Sequence, residues 1–95
     1  MQIRLEAAVA LLLLKAQIVT VIGNLIEEQG LTQTAAAKKM GLKQPDVSRL
    51  LDGRTDRFSL DRLMGLLVKL GQKVTIKTEP ATENRTASAR LVFAH

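Results

Sequence analysis

The chain of 95 residues has few side chains that could perform catalysis or hold a metal ion. It contains no cysteine and one histidine, His95, which excludes a cysteine-ligated zinc site and a site built from several histidines. Glu27 and Glu28 are adjacent, so they diverge on a helix, which is poor geometry for a general acid–base pair. The only histidine available to activate Ser48 or Ser59 lies at the C-terminus. The sequence therefore predicts a protein that is not an enzyme and needs no cofactor.

The charge of the chain indicates a polyanionic partner. It carries 14 Lys and Arg against 9 Asp and Glu, a net charge of +5, within an ordinary globular composition. Trp and Tyr are absent and the aromatic residues are Phe58 and Phe93, so stacking of unpaired bases is poorly supported. Residues 31–62 carry seven basic and four acidic side chains, whereas residues 1–30 carry two and three. The composition favours double-stranded DNA, bound by the middle of the chain.

Four helices are predicted to position these residues, and a glycine follows each helix because glycine adopts the left-handed C-cap conformation without steric cost. The four glycines are Gly30, Gly41, Gly53 and Gly71. The first helix begins with the apolar run from Ala7 to Leu14. The second begins at Gln33 after the N-cap Thr32, and the third begins at Gln44-Pro45-Asp46. The fourth begins after the N-cap Ser59. The fold class is therefore mainly α, a bundle of four to five helices.

After the fourth helix the pattern changes from helical to alternating. Val74 and Ile76 are apolar and their neighbours are polar, which predicts one short C-terminal β-strand over residues 73–79. A lone strand has unpaired backbone groups, so it must pair either with residues 90–93 of its own chain or with a second copy across a two-fold axis. We favour the second arrangement, a homodimer that also buries the apolar residues 11–14.

The organisation of the chain is that of one folded domain, residues 1–79, with a flexible tail, residues 80–95. The run from Ala7 to Leu14 superficially resembles the apolar part of a signal peptide, but Lys15 interrupts it and eight residues are too few to span a bilayer. We therefore predict a cytoplasmic protein without a membrane segment. The alternative is a scaffold whose apolar first helix binds another protein or a membrane surface.

The segment between the second and third helices has the spacing of a helix-turn-helix. Counted from Gln33 as the first helical residue, the positions that matter are Ala37 (fifth), Gly41 (ninth), Val47 (fifteenth) and Leu50 (eighteenth). The small residue lets the two helices cross closely, the glycine makes the sharp turn, and the two apolar residues bury the inner face of the second helix of the motif. Together they predict a DNA-binding module.

With these residues in place, the segment 16–72 resembles the Xre, or lambda-repressor-like, family of helix-turn-helix proteins. The resemblance is carried by Leu31-Thr32-Gln33, Ala36-Ala37, Met40-Gly41-Leu42 and the run from Gln44 to Gly53. It implies a lambda-repressor-like helix-turn-helix bundle and a sequence-specific repressor of transcription. One departure is Ala35, where many relatives carry a glutamate that completes a capping box with Thr32.

Within that family the chain is similar to a branch of small antitoxin-type regulators. The similarity is carried by Lys15-Ala16-Gln17, by Arg57-Phe58-Ser59-Leu60-Asp61, and by Leu70-Gly71 before the predicted strand. Many members of this branch are antitoxins of HigBA-type pairs that repress their own operon as dimers. The resemblance implies an autoregulating homodimer on a palindromic operator, with a small toxin protein as a second partner. A solitary Xre-type regulator without a toxin, or a protein-interaction module, remains the alternative.

The third helix is the expected recognition helix. Gln44 can donate to and accept from adenine in the major groove. Arg49 can reach a guanine edge or a phosphate while Asp46, three residues earlier, orients it or accepts from cytosine, although the two can equally form an ordinary surface ion pair. Lys43 is expected to neutralise a phosphate, and Ser48 can contact a base or a phosphate.

Three further residues are expected to contact the DNA backbone. Gln33 resembles the glutamine with which the family bridges the N-terminus of the second helix to a phosphate, the alternative being a solvated polar residue. Arg54 and Arg57 follow the recognition helix where the backbone should pass, and they are candidate phosphate clamps.

Overall fold

The computed structural model describes the backbone of residues 2–80 and the side chains of residues 7–80. This part of the chain forms four helices, α1 (Gln2–Glu28), α2 (Gln33–Met40), α3 (Gln44–Leu51) and α4 (Leu60–Lys69). The predicted mainly α fold is confirmed. The helix starts predicted from Thr32, from the Gln44-Pro45-Asp46 sequence and from Ser59 are also confirmed, because these are local signals that tertiary packing has not overridden.

Two side-chain caps and one glycine define the central helices. The Thr32 hydroxyl accepts a hydrogen bond from the Ala35 amide at 3.1 Å, so this half of the cap forms without the glutamate of a capping box. The Ser59 hydroxyl accepts from the Arg62 amide at 3.3 Å and caps α4 in the same way. Gly41 ends α2 in the left-handed conformation, with φ of 68° and ψ of 31°. This conformation reverses the chain into α3 within three residues.

The core lies where α1 and α4 pack against each other and against the pair formed by α2 and α3. Its fully buried large side chains come from all four helices and from the residue that ends α4: Ile18, Ile22, Met40, Val47, Leu50, Leu63, Leu67 and Leu70. The predicted inner-face residues of the helix-turn-helix are confirmed as core, since Val47 and Leu50 are inaccessible to solvent and Ala37 is 6% exposed. Burial of these faces fixes α3 on the domain.

The predicted C-terminal strand is not found in the part of the chain that the structure describes. Residues 72–80 are non-helical and contain an isolated bridge at Thr75 but no strand. The described residues offer no sheet that could complete a ladder, and alternation alone does not hold a strand together without one. The predicted tail beyond Pro80 and the second strand over residues 90–93 fall outside the described residues.

One described helix, over Ala7–Glu28, is long and apolar enough to cross a membrane by length and composition. Ile18, Ile22 and Ile26 in its C-terminal half are buried in the core. That half of α1 therefore serves as the central helix of a folded domain, whereas none of the side chains of residues 7–17 is fully buried.

Gly41 and Gly65 provide a matched test of the turn. Gly41→Ala should lower the free energy of unfolding by about 1–2 kcal/mol, because alanine is strained in the left-handed conformation and its Cβ would lie 3.1 Å from the Lys69 Nζ. Gly65→Ala in α4, where a Cβ meets nothing within 4 Å, should raise it by about 0.5–1 kcal/mol. Urea unfolding of both variants measures this. Equal changes in the free energy of unfolding would show that the left-handed conformation of Gly41 is not required for stability.

Ser59 also lowers the pKa of the nearby Asp61 carboxyl. A hydrogen bond with the Ser59 hydroxyl is the largest cause, with the Asp61 and Arg62 amides adding to it, and together they lower the pKa of the Asp61 carboxyl. Because this pKa is lower in the folded chain, the linked stability is present above the unfolded pKa and is lost as the pH falls through the folded one.

We therefore expect Ser59→Ala to raise the pKa of Asp61 towards its ordinary value and to destabilise α4 by about 1 kcal/mol. An NMR titration of the Asp61 carboxyl, with urea unfolding alongside, measures both. Thr32→Ala removes the cap of α2 and should leave the pKa of Asp61 unchanged. A higher pKa of Asp61 in both variants would mean that a general loss of helix stability, and not the Ser59 hydrogen bond, controls this pKa.

Candidate nucleic-acid interface

The turn between α2 and α3 is fixed by hydrogen bonds from both sides. The Leu42 amide donates to the Ala37 carbonyl at 2.9 Å, and the Gly41 amide donates to the Lys38 carbonyl at 3.3 Å. The Lys69 ammonium, at the end of α4, donates to the Met40 carbonyl at 3.2 Å. A basic group at the C-terminus of α2 also opposes the negative end of the helix dipole. The angle between α2 and α3 is thereby tied to α4.

The outward face of α3 carries the residues predicted to read bases. Gln44 and Ser48, one helical turn apart, are both exposed, while Val47 and Leu50 on the opposite face are buried. Lys43 is exposed immediately before the helix, and its side chain makes no cap hydrogen bond. The structure therefore places Lys43, Gln44 and Ser48 on one accessible edge. The exposed Pro45 shares this edge, although in the sequence it signals only helix initiation.

Asp46 and Arg49 form an ion pair on the flank of α3. The Arg49 Nη1 donates to the Asp46 Oδ1 at 3.0 Å, and the two side chains are 43% and 30% exposed, in that order. This contact, expected from the spacing of three residues, holds the guanidinium in one orientation and leaves further donor positions for a ligand. At this exposure the pair adds little to stability. Its main effect is to position Arg49.

The loop between α3 and α4 forms a small cationic pocket. Its lining is Arg49, Arg54, Asp56, Arg57 and Phe58, and its volume is about 150 Å³. Sites for drug-sized molecules occupy roughly 300–1,000 Å³, so this pocket has room for one small group only. Three arginines and one aspartate line it, so its charge favours a small anion. Arg54 and Arg57, predicted as phosphate clamps, are thus brought together with Arg49.

Contacts from outside the loop hold this pocket in place. Phe58 is 2% exposed and anchors the loop in the core, with the Arg62 guanidinium 4.6 Å from the centre of its ring. The Lys15 ammonium on α1 donates to the Thr55 carbonyl at 3.4 Å. Sequence reasoning missed Lys15 and Lys69 as positioning residues, since both contacts join residues far apart in the chain.

Gln33 and the adjacent lysines of α2 have different surroundings. Gln33 is exposed at the first turn of α2, where free amide groups and the helix dipole favour an anion. Lys39 is turned away from this site, because its ammonium donates to the Gln29 side-chain oxygen at 2.6 Å. Gln29 in turn donates to the Leu70 carbonyl at 2.9 Å. Lys39 therefore helps to join α1, α2 and α4 at the end of the domain.

Comparison with known proteins agrees with this geometry. The profile of a family described as "Helix-turn-helix domain" matches residues 5–79. A solved structure named "Putative XRE Family Transcriptional Regulator" superposes with a TM-score of 0.79 at 32% sequence identity, covering 93% of this chain and 99% of the other. No curated protein matches the chain. By the extent of the family match and by this identity and coverage, the chain belongs to the helix-turn-helix domain family and, within it, to the XRE family.

Proposed function

We propose that this protein is a sequence-specific DNA-binding regulator of transcription, acting as a repressor. The observation that carries the proposal is the exposed edge of α3, where Lys43, Gln44 and Ser48 project from a helix whose other face is locked in the core. A rigid helix with short polar side chains on its outer edge has the shape and the hydrogen-bonding groups required to enter the major groove.

Within this proposal the residues of α3 divide into base readers and supports. Gln44, at the N-terminal end of the helix, reads adenine through its amide. Arg49 contacts a guanine edge or a phosphate, and its ion pair with Asp46 limits the directions it can take. Ser48 donates to a base or phosphate, and Lys43 neutralises a phosphate beside the groove. Recognition thus depends on amide and guanidinium groups instead of aromatic stacking.

The phosphate contacts come before and after the recognition helix in the chain. Gln33 contacts a phosphate from the N-terminus of α2, and Arg54 and Arg57 contact a phosphate from the pocket in the α3–α4 loop. A single phosphate group of the DNA backbone fits the size and charge of that pocket. These contacts fix the position of α3 in the groove and carry no sequence information.

We propose further that two copies bind a palindromic operator. Two recognition helices related by a two-fold axis read half-sites about one helical turn apart, which requires a homodimer. Since we propose neither export nor membrane insertion for this DNA-binding protein, we propose that it acts in the cytoplasm. A repressor that binds its own promoter is the form of regulation that best fits the proposal.

A second candidate function is that of an autoregulating antitoxin. The observation in its favour is the non-helical segment 72–80, in which Ile76 is 71% exposed and no described strand pairs with it. Such a segment can add to the sheet edge of a small toxin protein. Capture of the product of the neighbouring reading frame by the full-length chain, and loss of capture in Ile76→Asp, would support this role. A solitary regulator would capture no such product.

The division between base and phosphate contacts predicts two different mutant phenotypes. Gln44→Ala should cost about 1–3 kcal/mol on the preferred operator and little on an operator changed at the base pair that Gln44 reads. Arg54→Gln should weaken binding to all duplexes and reduce the slope of log affinity against log salt by about one unit.

Fluorescence anisotropy measures both phenotypes, with a duplex selected from random sequences, a scrambled duplex, and a series of salt concentrations. Lys39→Gln is a matched control, because it also removes one positive charge but from a side chain turned towards Gln29. Its salt slope should stay close to that of the unmodified protein. Binding that is weak, independent of sequence and lost at physiological salt would contradict the proposed regulator.

A further inference from the structure

The pocket in the α3–α4 loop is held by backbone hydrogen bonds and by the core. The Arg54 amide donates to the Arg49 carbonyl at 3.0 Å, and the Phe58 amide donates to the Thr55 carbonyl at 2.9 Å. Gly53, with a φ of 81°, turns the chain out of α3 in the left-handed region. Phe58 lines the pocket and is itself buried in the core. The pocket is therefore a fixed part of the folded domain.

The residues that line the pocket carry more positive charge than one phosphate of the DNA backbone balances. Arg49, Arg54 and Arg57 supply three positive charges and Asp56 supplies one negative charge, a net charge of +2. Arg54 and Arg57 form no ion pair with a described carboxylate, so their charges are available to a ligand. A backbone phosphate is a diester with one negative charge, whereas a phosphate monoester carries nearly two at neutral pH. The charge of the lining therefore matches a monoester better than a diester.

Two charged side chains contact lining residues from outside the pocket, and their charges offset each other. Asp46 pairs with Arg49 at 3.0 Å, and the Arg62 guanidinium lies 4.6 Å from the centre of the Phe58 ring. Lys15 on α1 adds a further positive charge through its hydrogen bond to the loop. These neighbours leave the excess of positive charge around the pocket in place.

We propose that this pocket is a binding site for a small molecule with a terminal phosphate, and that this molecule competes with DNA. Guanidinium groups bind phosphate oxygens through paired, charge-assisted hydrogen bonds. The volume of about 150 Å³ has room for a phosphate group and little more, so the rest of the molecule lies outside. The competition rests on the proposed function, in which Arg54 and Arg57 hold a backbone phosphate. A phosphorylated effector would then release the protein from its operator.

Two other features of candidate ligands fit this pocket less well. A carboxylate of an acidic protein segment carries one negative charge and leaves the same excess of positive charge as a diester. The ring of Phe58 is 2% exposed, so it offers no free face on which a nucleotide base could stack. Recognition therefore depends on the charge of the terminal phosphate.

Methyl phosphate and dimethyl phosphate test the site, because they are similar in size and differ by one negative charge. NMR titrations of the full-length chain follow the amide signals of residues 54–58 at constant ionic strength. The pH is kept about two units above the second pKa of the monoester, which is about 6. Methyl phosphate should bind at least about fivefold more tightly, the gain expected from one further charge about 4 Å away in water.

Arg57→Gln and Asp56→Asn change the charge of the lining in opposite directions. Arg57→Gln should weaken the binding of methyl phosphate at least about fivefold, and Asp56→Asn should tighten it by a similar factor. Lys39→Gln is the matched control, because it removes a positive charge that is turned towards Gln29, and it should leave this binding unchanged. Asp56 and Arg57 are exposed, so both variants should unfold at the temperature of the unmodified protein.

Fluorescence anisotropy tests the competition, with duplexes whose ends carry hydroxyl groups so that no terminal phosphate of the DNA enters the pocket. At constant ionic strength, methyl phosphate should weaken operator binding more than dimethyl phosphate does at the same concentration. Arg57→Gln should remove this difference, since it removes part of the site for which the two ligands compete.

Two results would overturn the site: equal binding of the two probes, or a loss of methyl phosphate binding in Lys39→Gln as large as in Arg57→Gln. Methyl phosphate that binds in the pocket and leaves operator affinity unchanged would overturn the competition. A chain that binds methyl phosphate but no duplex would support the site and overturn the proposed regulator. Operator binding without a preference for methyl phosphate would do the reverse, so the two hypotheses fail separately.

Discussion

Burial of the inner faces of α2 and α3 against α1 and α4 is the constraint on which the rest of this structure depends. Helices of eight residues are not stable alone in water, because too few hydrogen bonds form to offset the cost of nucleation. Val47 and Leu50 supply the apolar contacts that hold α3, and Ala36, Ala37 and Met40 do the same for α2. The outer edge of α3 is left free for recognition because its inner edge carries the stabilising contacts.

Long-range contacts of two lysines turn this packing into a site of defined geometry. Lys69 links α4 to the end of α2, and Lys15 links α1 to the loop after α3. Each ammonium donates to a backbone carbonyl, so it fixes main chain and not only a side chain. The Asp46–Arg49 pair acts locally in the same sense by restricting one guanidinium. The backbone that carries the groups proposed to contact DNA is thus held in place before DNA arrives, which reduces the entropy lost on binding.

The two halves of α1 face different requirements. Its C-terminal half is amphipathic and packs in the core, with Ile18 and Ile22 buried and Thr20 exposed. Its N-terminal half presents Leu12 and its neighbours to the outside, in the least cationic third of the chain. One continuous helix therefore connects the core to an exposed apolar surface. A helix is stiff enough to relate the position of that surface to the position of α3.

The sequence by itself determined the helices and the helix-turn-helix, because their signals are local. Thr32 and Ser59 act as caps, Gly41 adopts the conformation that only glycine takes easily, and Val47 and Leu50 fall at fixed offsets from Gln33. The exposure of Gln44 and Ser48 follows from the same periodicity. The sequence alone therefore identifies residues 33–57 as a candidate interface.

Only the tertiary structure decided the features that depend on contacts between distant residues. Alternation around Val74 and Ile76 predicted a strand, but a strand needs a neighbouring edge and the described chain provides none. The pairing of Lys15 with Thr55, the direction of Lys39 and the gathering of three arginines beside Phe58 depend on how the helices pack. Spacing along a chain fixes which residues share a helix face, whereas the neighbours that face meets are fixed by packing alone.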